Sequence, residues 1–133
     1  MGTLQLEVVT PDKTVVSAEV EMVVCPGVEG EFGVLPQHVS MLSALKTGDL
    51  RYRANGKDEN VFISGGFADV NNDVLTVLAE SAELARDIDA ARAQAAKERA
   101  EKRLAAHDDS IDQARAEAAL QRAIVRLQIA QLG

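Results

Sequence analysis

The sequence predicts an α+β, mainly β, fold: an N-terminal antiparallel β-sandwich or rolled barrel over residues 1–82, followed by a C-terminal antiparallel two-helix hairpin over residues 83–133. Three observations carry this. Up to about residue 80, short apolar runs, several alternating apolar and polar, are separated by turn signals. Near residue 82 the period changes from 2 to 3.6, and between Gly66 and the final Gly133 there is no glycine or proline. The stretches IDAARAQAAKERAEKRL (88–104) and IDQARAEAALQRAIVRL (111–127) agree at 11 of 17 positions, which marks a repeated helix.

The expected strands are LQLEVV, EVEMVV, SMLSAL, DLRYR, NVFIS, FADV and VLTVLA. The turns between them are Thr10-Pro11-Asp12-Lys13, Pro26-Gly27, Asn55-Gly56-Lys57-Asp58 and Asn71-Asn72-Asp73. Asn55-Gly56 is a strong hairpin signal, because both residues tolerate positive φ. Seven or more short strands at this spacing suit a sandwich or barrel. Aromatic residues are only 3% with no Trp, so the core is aliphatic.

In the hairpin, Asp87 is the expected cap of the first helix, and Ser110 with Gln113 forms a capping-box pattern for the second. His107-Asp108-Asp109 is the expected turn. Ile88 and Leu104 are the only large apolar residues from 88 to 105, so the seam between the helices is alanine. Alanine gives strong helix propensity and little buried area. Such a hairpin is a two-state element, able to lie folded or to open into a rod.

Composition excludes several functions. The net charge is −7, and all of it falls in residues 1–82, with five Lys/Arg against twelve Asp/Glu; residues 83–133 hold nine of each. An acidic half argues against a nucleic-acid partner. There is no apolar run long enough for a bilayer and no basic-then-apolar leader, so no direct membrane insertion is expected. Cys25, alone, allows no intrachain disulfide and reads as a buried structural thiol. Ser64-Gly65-Gly66-Phe67 reads as a bend between strands; no Lys-Ser/Thr follows to make a phosphate loop. Neither a Ser/His/Asp set nor a metal cluster with ligand spacing is present, so the chain reads as no enzyme and requires no cofactor.

The arginines are the informative charges. Arg92, Arg99 and Arg103 share one helical face, and Arg115, Arg122 and Arg126 repeat that stripe. Local neutralisation would pair Asp89 with Arg92, Asp112 with Arg115 and Glu98 with Lys102. Arg122 and Arg126 have no acid three or four positions away, so in a closed hairpin they face the first helix or an anion.

The segments VVTPDK (8–13), GEFGVLPQHVSML (30–42) and SGGFADVNNDVLTVLAE (64–80), with the IDAARA…R…R pattern, resemble the epsilon subunit of the F-type ATP synthase over nearly the whole chain. Gln37 and Ser40 depart from that family, which usually has a small residue and a proline there. The resemblance implies a non-catalytic rotor subunit. It implies a sandwich that binds the gamma subunit and the membrane c-ring, with Glu31 of the Glu29-Gly30-Glu31 tip contacting the c-ring and His38 facing gamma. It implies a hairpin that permits ATP hydrolysis when folded and opposes it when extended into the alpha/beta catalytic head. It implies a peripheral location on the cytoplasmic face of a bacterial plasma membrane. Certain bacterial members bind one ATP on the folded hairpin as a regulatory ligand; the matching residues are Glu83, Ile88, Asp89, Arg92, Ala93, Arg99, Arg122 and Arg126. Asp89 would accept from the adenine amino group, Ala93 would leave room for the base, and the arginines would take phosphate oxygens. The rival expectation from the same residues is a free-standing adenine-nucleotide sensor with a ligand-gated hairpin.

Overall fold

A computed structural model describes residues 2–37, 40–106 and 112–133. The strands are β1 (Leu4–Val9), β2 (Thr14–Val20), β3 (Met22–Gly27), β4 (Gly30–Val34), β5 (Met41–Leu45), β6 (Gly48–Ala54), β7 (Lys57–Ile63), β8 (Gly66–Asn71), β9 (Val74–Ala79) and β10 (Ala82–Leu84). A single 3₁₀ turn (Ala85–Asp87) leads into α1 (Ala90–Ala106) and α2 (Gln113–Ala130). The strands form one sheet in the order β10-β7-β6-β3-β5-β8-β9-β1-β2, with β4 added to β3. The sheet rolls until β2 approaches β6 and β10.

Three expected features come out differently. EVEMVV is not one strand: the chain breaks at Glu21, between β2 and β3. β1 runs parallel to β9, with Leu6 opposite Leu75, while every other pairing is antiparallel. β4 and β10 lie outside the expected runs. β10 pairs with β7 through Ala82↔Ile63, Glu83↔Phe62 and Leu84↔Val61, so the sheet continues two residues past the change of period at 82.

The turn chemistry is as the sequence requires. Asn55 and Gly56 take φ of 54° and 73°, and Asn72 and Asp73 take 51° and 58°. Both pairs are two-residue connections with positive φ, which match the twist of the flanking strands. Gly66, at φ 124°, joins β8 to both β5 and β9, and a Cβ there would collide with the Leu78 carbonyl oxygen. The Ser-Gly-Gly bend is a close approach of backbones.

The main core is aliphatic, with Leu4, Leu6, Val8, Val20, Val23, Leu50, Val61, Ile63, Leu75 and Val77 inside the roll. A second cluster lies outside it: Phe62, Ala85, Val125 and Ile129, with Ile88 packed alongside. Phe62 points away from the roll between Val61 and Ile63, and all three are fully buried. The continuous apolar run therefore marks a strand covered on both faces. What covers its outer face is the C-terminal half of α2, so the hairpin is docked on the β-domain.

Candidate functional site

The two helices begin alike. Asp89 Oδ1 accepts from the Arg92 backbone N–H at 3.0 Å, and Asp112 Oδ1 accepts from the Arg115 backbone N–H at 3.1 Å. Each Asp carbonyl oxygen also takes the N–H of the following Ala, Ala93 or Ala116, at 3.0 Å. The repeated Asp-x-x-Arg is thus a helix-start device, in which the aspartate satisfies an orphan amide of the first turn. This corrects two expectations. Asp87 lies in the 3₁₀ turn and Asp89 takes the capping position, while the cap of α2 is Asp112; Ser110 and His107 lie outside the described residues. Ala93 and Ala100 on α1 and Ala116 and Ala123 on α2 are buried, each pair seven residues apart, and this is the alanine seam.

Arg126 departs from expectation as well. Its Nε lies 2.6 Å from Glu83 Oε1 on β10, an acid that belongs to the sheet and not to either helix. Its guanidinium carbon stands 4.2 Å from the centre of the Phe62 ring, a cation–π distance. The local pairs foreseen along the helices do not form either. Asp89 and Asp112 bind backbone amides, and Glu98 accepts from Gln94 Nε2 at 3.3 Å. Among the described residues, the side chains of Arg92, Arg99, Arg103 and Arg122 have no carboxylate within salt-bridge distance.

Arg92, Arg99 and Arg126 line a cleft of about 490 Å³ between the hairpin and the edge of the sheet. Glu83, Ile88, Asp89, Arg92, Ala93, Arg99 and Arg126, seven of the eight positions expected from the sequence, form its wall, with Ser81, Asp87 and Ala96 completing it. Arg122 lines an adjoining groove of about 230 Å³ between the helices, which shares Ala96, Arg99 and Arg126 with the cleft and adds Arg103. The cleft carries three acids, Glu83, Asp87 and Asp89, and three guanidinium groups, those of Arg92, Arg99 and Arg126, with Ala93 and Ala96 between them in its wall. Sequence reasoning missed Phe62, Ser81 and Asp87; for Phe62 the signal was present, in the unbroken run Val61-Phe62-Ile63.

The other expected contacts lie elsewhere. Glu31 is exposed on β4, with its carboxylate 3.6 Å from an Arg51 nitrogen. His38 lies outside the described residues. Cys25 is buried opposite Phe32, and burial pushes its thiol up to about 12. A separate outer face on β5, β8 and β9 exposes Leu42, Phe67 and Leu78 beside an open groove of about 610 Å³.

The family described as "ATP synthase, Delta/Epsilon chain, beta-sandwich domain" matches residues 3–85, and "ATP synthase, Delta/Epsilon chain, long alpha-helix domain" matches residues 86–131. The chain belongs to the ATP synthase delta/epsilon chain family. An "ATP synthase epsilon chain" of Nitratidesulfovibrio vulgaris (strain DP4) is 59% identical over 127 residues, covering 96% of this chain and 95% of that one. The epsilon chain of Lawsonia intracellularis is 55% identical over 130 residues, covering 98% of each. A chain in the structure of Euglena gracilis mitochondrial ATP synthase, OSCP/F1/c-ring, superposes with a TM-score of 0.82 at 26% identity, covering 100% of this chain and 83% of that one. Membership makes the chain an epsilon-type, non-catalytic subunit of ATP synthase.

Proposed function

We propose that this epsilon-type chain couples the rotor of its ATP synthase and regulates it through a hairpin that ATP holds closed. The observation that carries the regulatory part is the convergence of Arg92, Arg99 and Arg122, none with a carboxylate partner among the described residues, on an alanine-walled cleft and its adjoining groove. Their positions on both helices mean that the groove exists only when the helices lie side by side. A ligand with several phosphate oxygens supplies the missing negative charge by charge-assisted bonds. A ligand that binds only the closed form shifts the population toward it.

The Glu83–Arg126 pair refines the roles within the site. Arg126 is already neutralised, so its first role is to hold the hairpin on the sheet, and Arg92, Arg99 and Arg122 are the phosphate ligands. Asp89 Oδ1 is committed to the cap, leaving Oδ2 for the base.

The apolar outer face with Leu42, Phe67 and Leu78 supports docking of the gamma subunit there. The exposed Val28 and Glu31 near the β3–β4 turn support a c-ring contact. Among the described residues no helix is long and apolar enough to cross a membrane, so association with the cytoplasmic face of a bacterial membrane runs through these partners.

The test is ATP hydrolysis by the reassembled enzyme. With residues 88–133 removed, hydrolysis rises and no longer depends on the ATP history of the sample, while synthesis persists. If hydrolysis is unchanged at every nucleotide concentration, the hairpin has no regulatory role.

A further inference from the structure

Phe62, the anchor of the docked hairpin, has an acid on either side of it. On one side the register places Glu83 opposite it; on the other it places Asp49. The two are treated differently by the helix above. Glu83 receives Arg126 from α2. Asp49 receives nothing charged from α2. It lines a cleft of about 330 Å³ walled on the far side by Val125, Gln128 and Ile129 of α2 and by Leu132 just beyond the helix. Of the two carboxylates that flank Phe62, α2 supplies a cation to one and presents only neutral side chains across the cleft to the other.

We infer that Asp49 is a proton-sensitive brake on hairpin docking: ionised, it opposes the seating of α2 on the sheet, and protonated, it permits it. This does not depend on nucleotide binding.

The surroundings of Asp49 bear on its sign. From β7, Asn60 Nδ2 donates to both its oxygens, at 3.0 and 2.8 Å, and this favours the charged form. Arg51 on β6 does the same, but it is shared with Glu31 of β4, which acts oppositely. Lys46, from the segment before β6, lines the same cleft, and the α2 residues there are neutral. Burial outweighs the favourable partners and holds the Asp49 carboxyl above the usual carboxylate range. We assign part of that burial to Val125 and Ile129, the apolar wall that α2 sets across the cleft, so that Asp49 binds its proton more tightly with the helix seated than with it lifted. Docking is then strengthened as pH falls through the raised value and weakened as pH rises through it, tenfold in the equilibrium per unit of difference.

The experiment is amide hydrogen exchange on the full chain between pH 7.5 and 4.5, read at Val125 and Ile129 and corrected for intrinsic exchange. In the wild type, protection of these amides rises several-fold toward acid. Asp49→Asn keeps an acceptor for Asn60 and removes the charge; its protection is higher than wild type at pH 7.5 and changes less with pH. Gln128→Lys places a cation over Asp49; its protection is also higher at pH 7.5 and falls toward acid. Val61, inside the roll, reports whether each variant is folded, and Gln128→Lys decides the matter if Asp49→Asn is not. An Asp49→Asn chain with intact Val61 protection and the wild-type pH slope, or a Gln128→Lys chain with that slope, overturns the inference.

Discussion

Arg126 Nε and Glu83 Oε1 meet at 2.6 Å across 43 positions of sequence, joining the last turns of the hairpin to the last strand of the sheet. The pair is about one-third exposed and lies against a fully buried aromatic ring. It is a polar part of the contact between α2 and the sheet.

Replacing Arg126 by Ala removes a partly buried ion pair and a cation–π contact together, a loss of about 1–3 kcal/mol. Docking weakens in the absence of any nucleotide, seen as faster exchange of the Ile129 amide. Arg122→Ala, which breaks no ion pair among the described residues, leaves that exchange unchanged.

Phe62 belongs to the cluster beneath α2 and not to the core of the roll. Phe62→Ala costs about 3–5 kcal/mol, as for other buried aromatic residues. That loss falls on docking. Val61 and Ile63 amides stay protected while those of α2 do not, which hydrogen exchange separates directly.

A chain ending at Leu84 keeps β10 and its ladder to β7, and it melts cooperatively with a strand-type circular dichroism spectrum. A chain ending at Ile63 loses β8 and β9, through which β1 joins the sheet, and it does not fold. An unfolded 1–84 chain contradicts the independence of the two cores.

With its thiol pushed up to about 12 by burial, Cys25 is a negligible fraction thiolate at pH 7 to 8. Iodoacetamide labels it only as fast as the β-domain unfolds, and raising the pH from 7 to 9 does not restore the rate of a free thiol. Mass spectrometry of the native chain checks this.

The parts of the fold that were legible are those set by local chemistry. Asn55-Gly56 announced its turn because φ is positive at both residues, and the change of period near 82 announced the hairpin. β4 was hidden by Gly30 and Gly33, and β10 is three residues long; both are strands only because a neighbour offers a ladder. In the site, the pattern and the family resemblance named residues that do share a cleft. They did not reveal that the aspartates cap the helices, because a capping and a ligand-binding carboxylate look alike in sequence. Nor did they pair Arg126 with Glu83, a contact fixed by the register of β10 on β7 and the seating of α2 over Phe62.

Calorimetric titration of the full chain with ATP tests whether the closed hairpin is an ATP site. If it is, the titration gives saturable heat with one ATP per chain. At a hundredfold excess over Kd, ATP stabilises the closed form by about 2.7 kcal/mol, seen as a higher melting temperature. ADP, with fewer phosphate oxygens, has a smaller effect, and Arg122→Ala removes most of the gain. No heat and no change in melting at millimolar ATP would contradict the claim and leave the arginine cleft without a nucleotide.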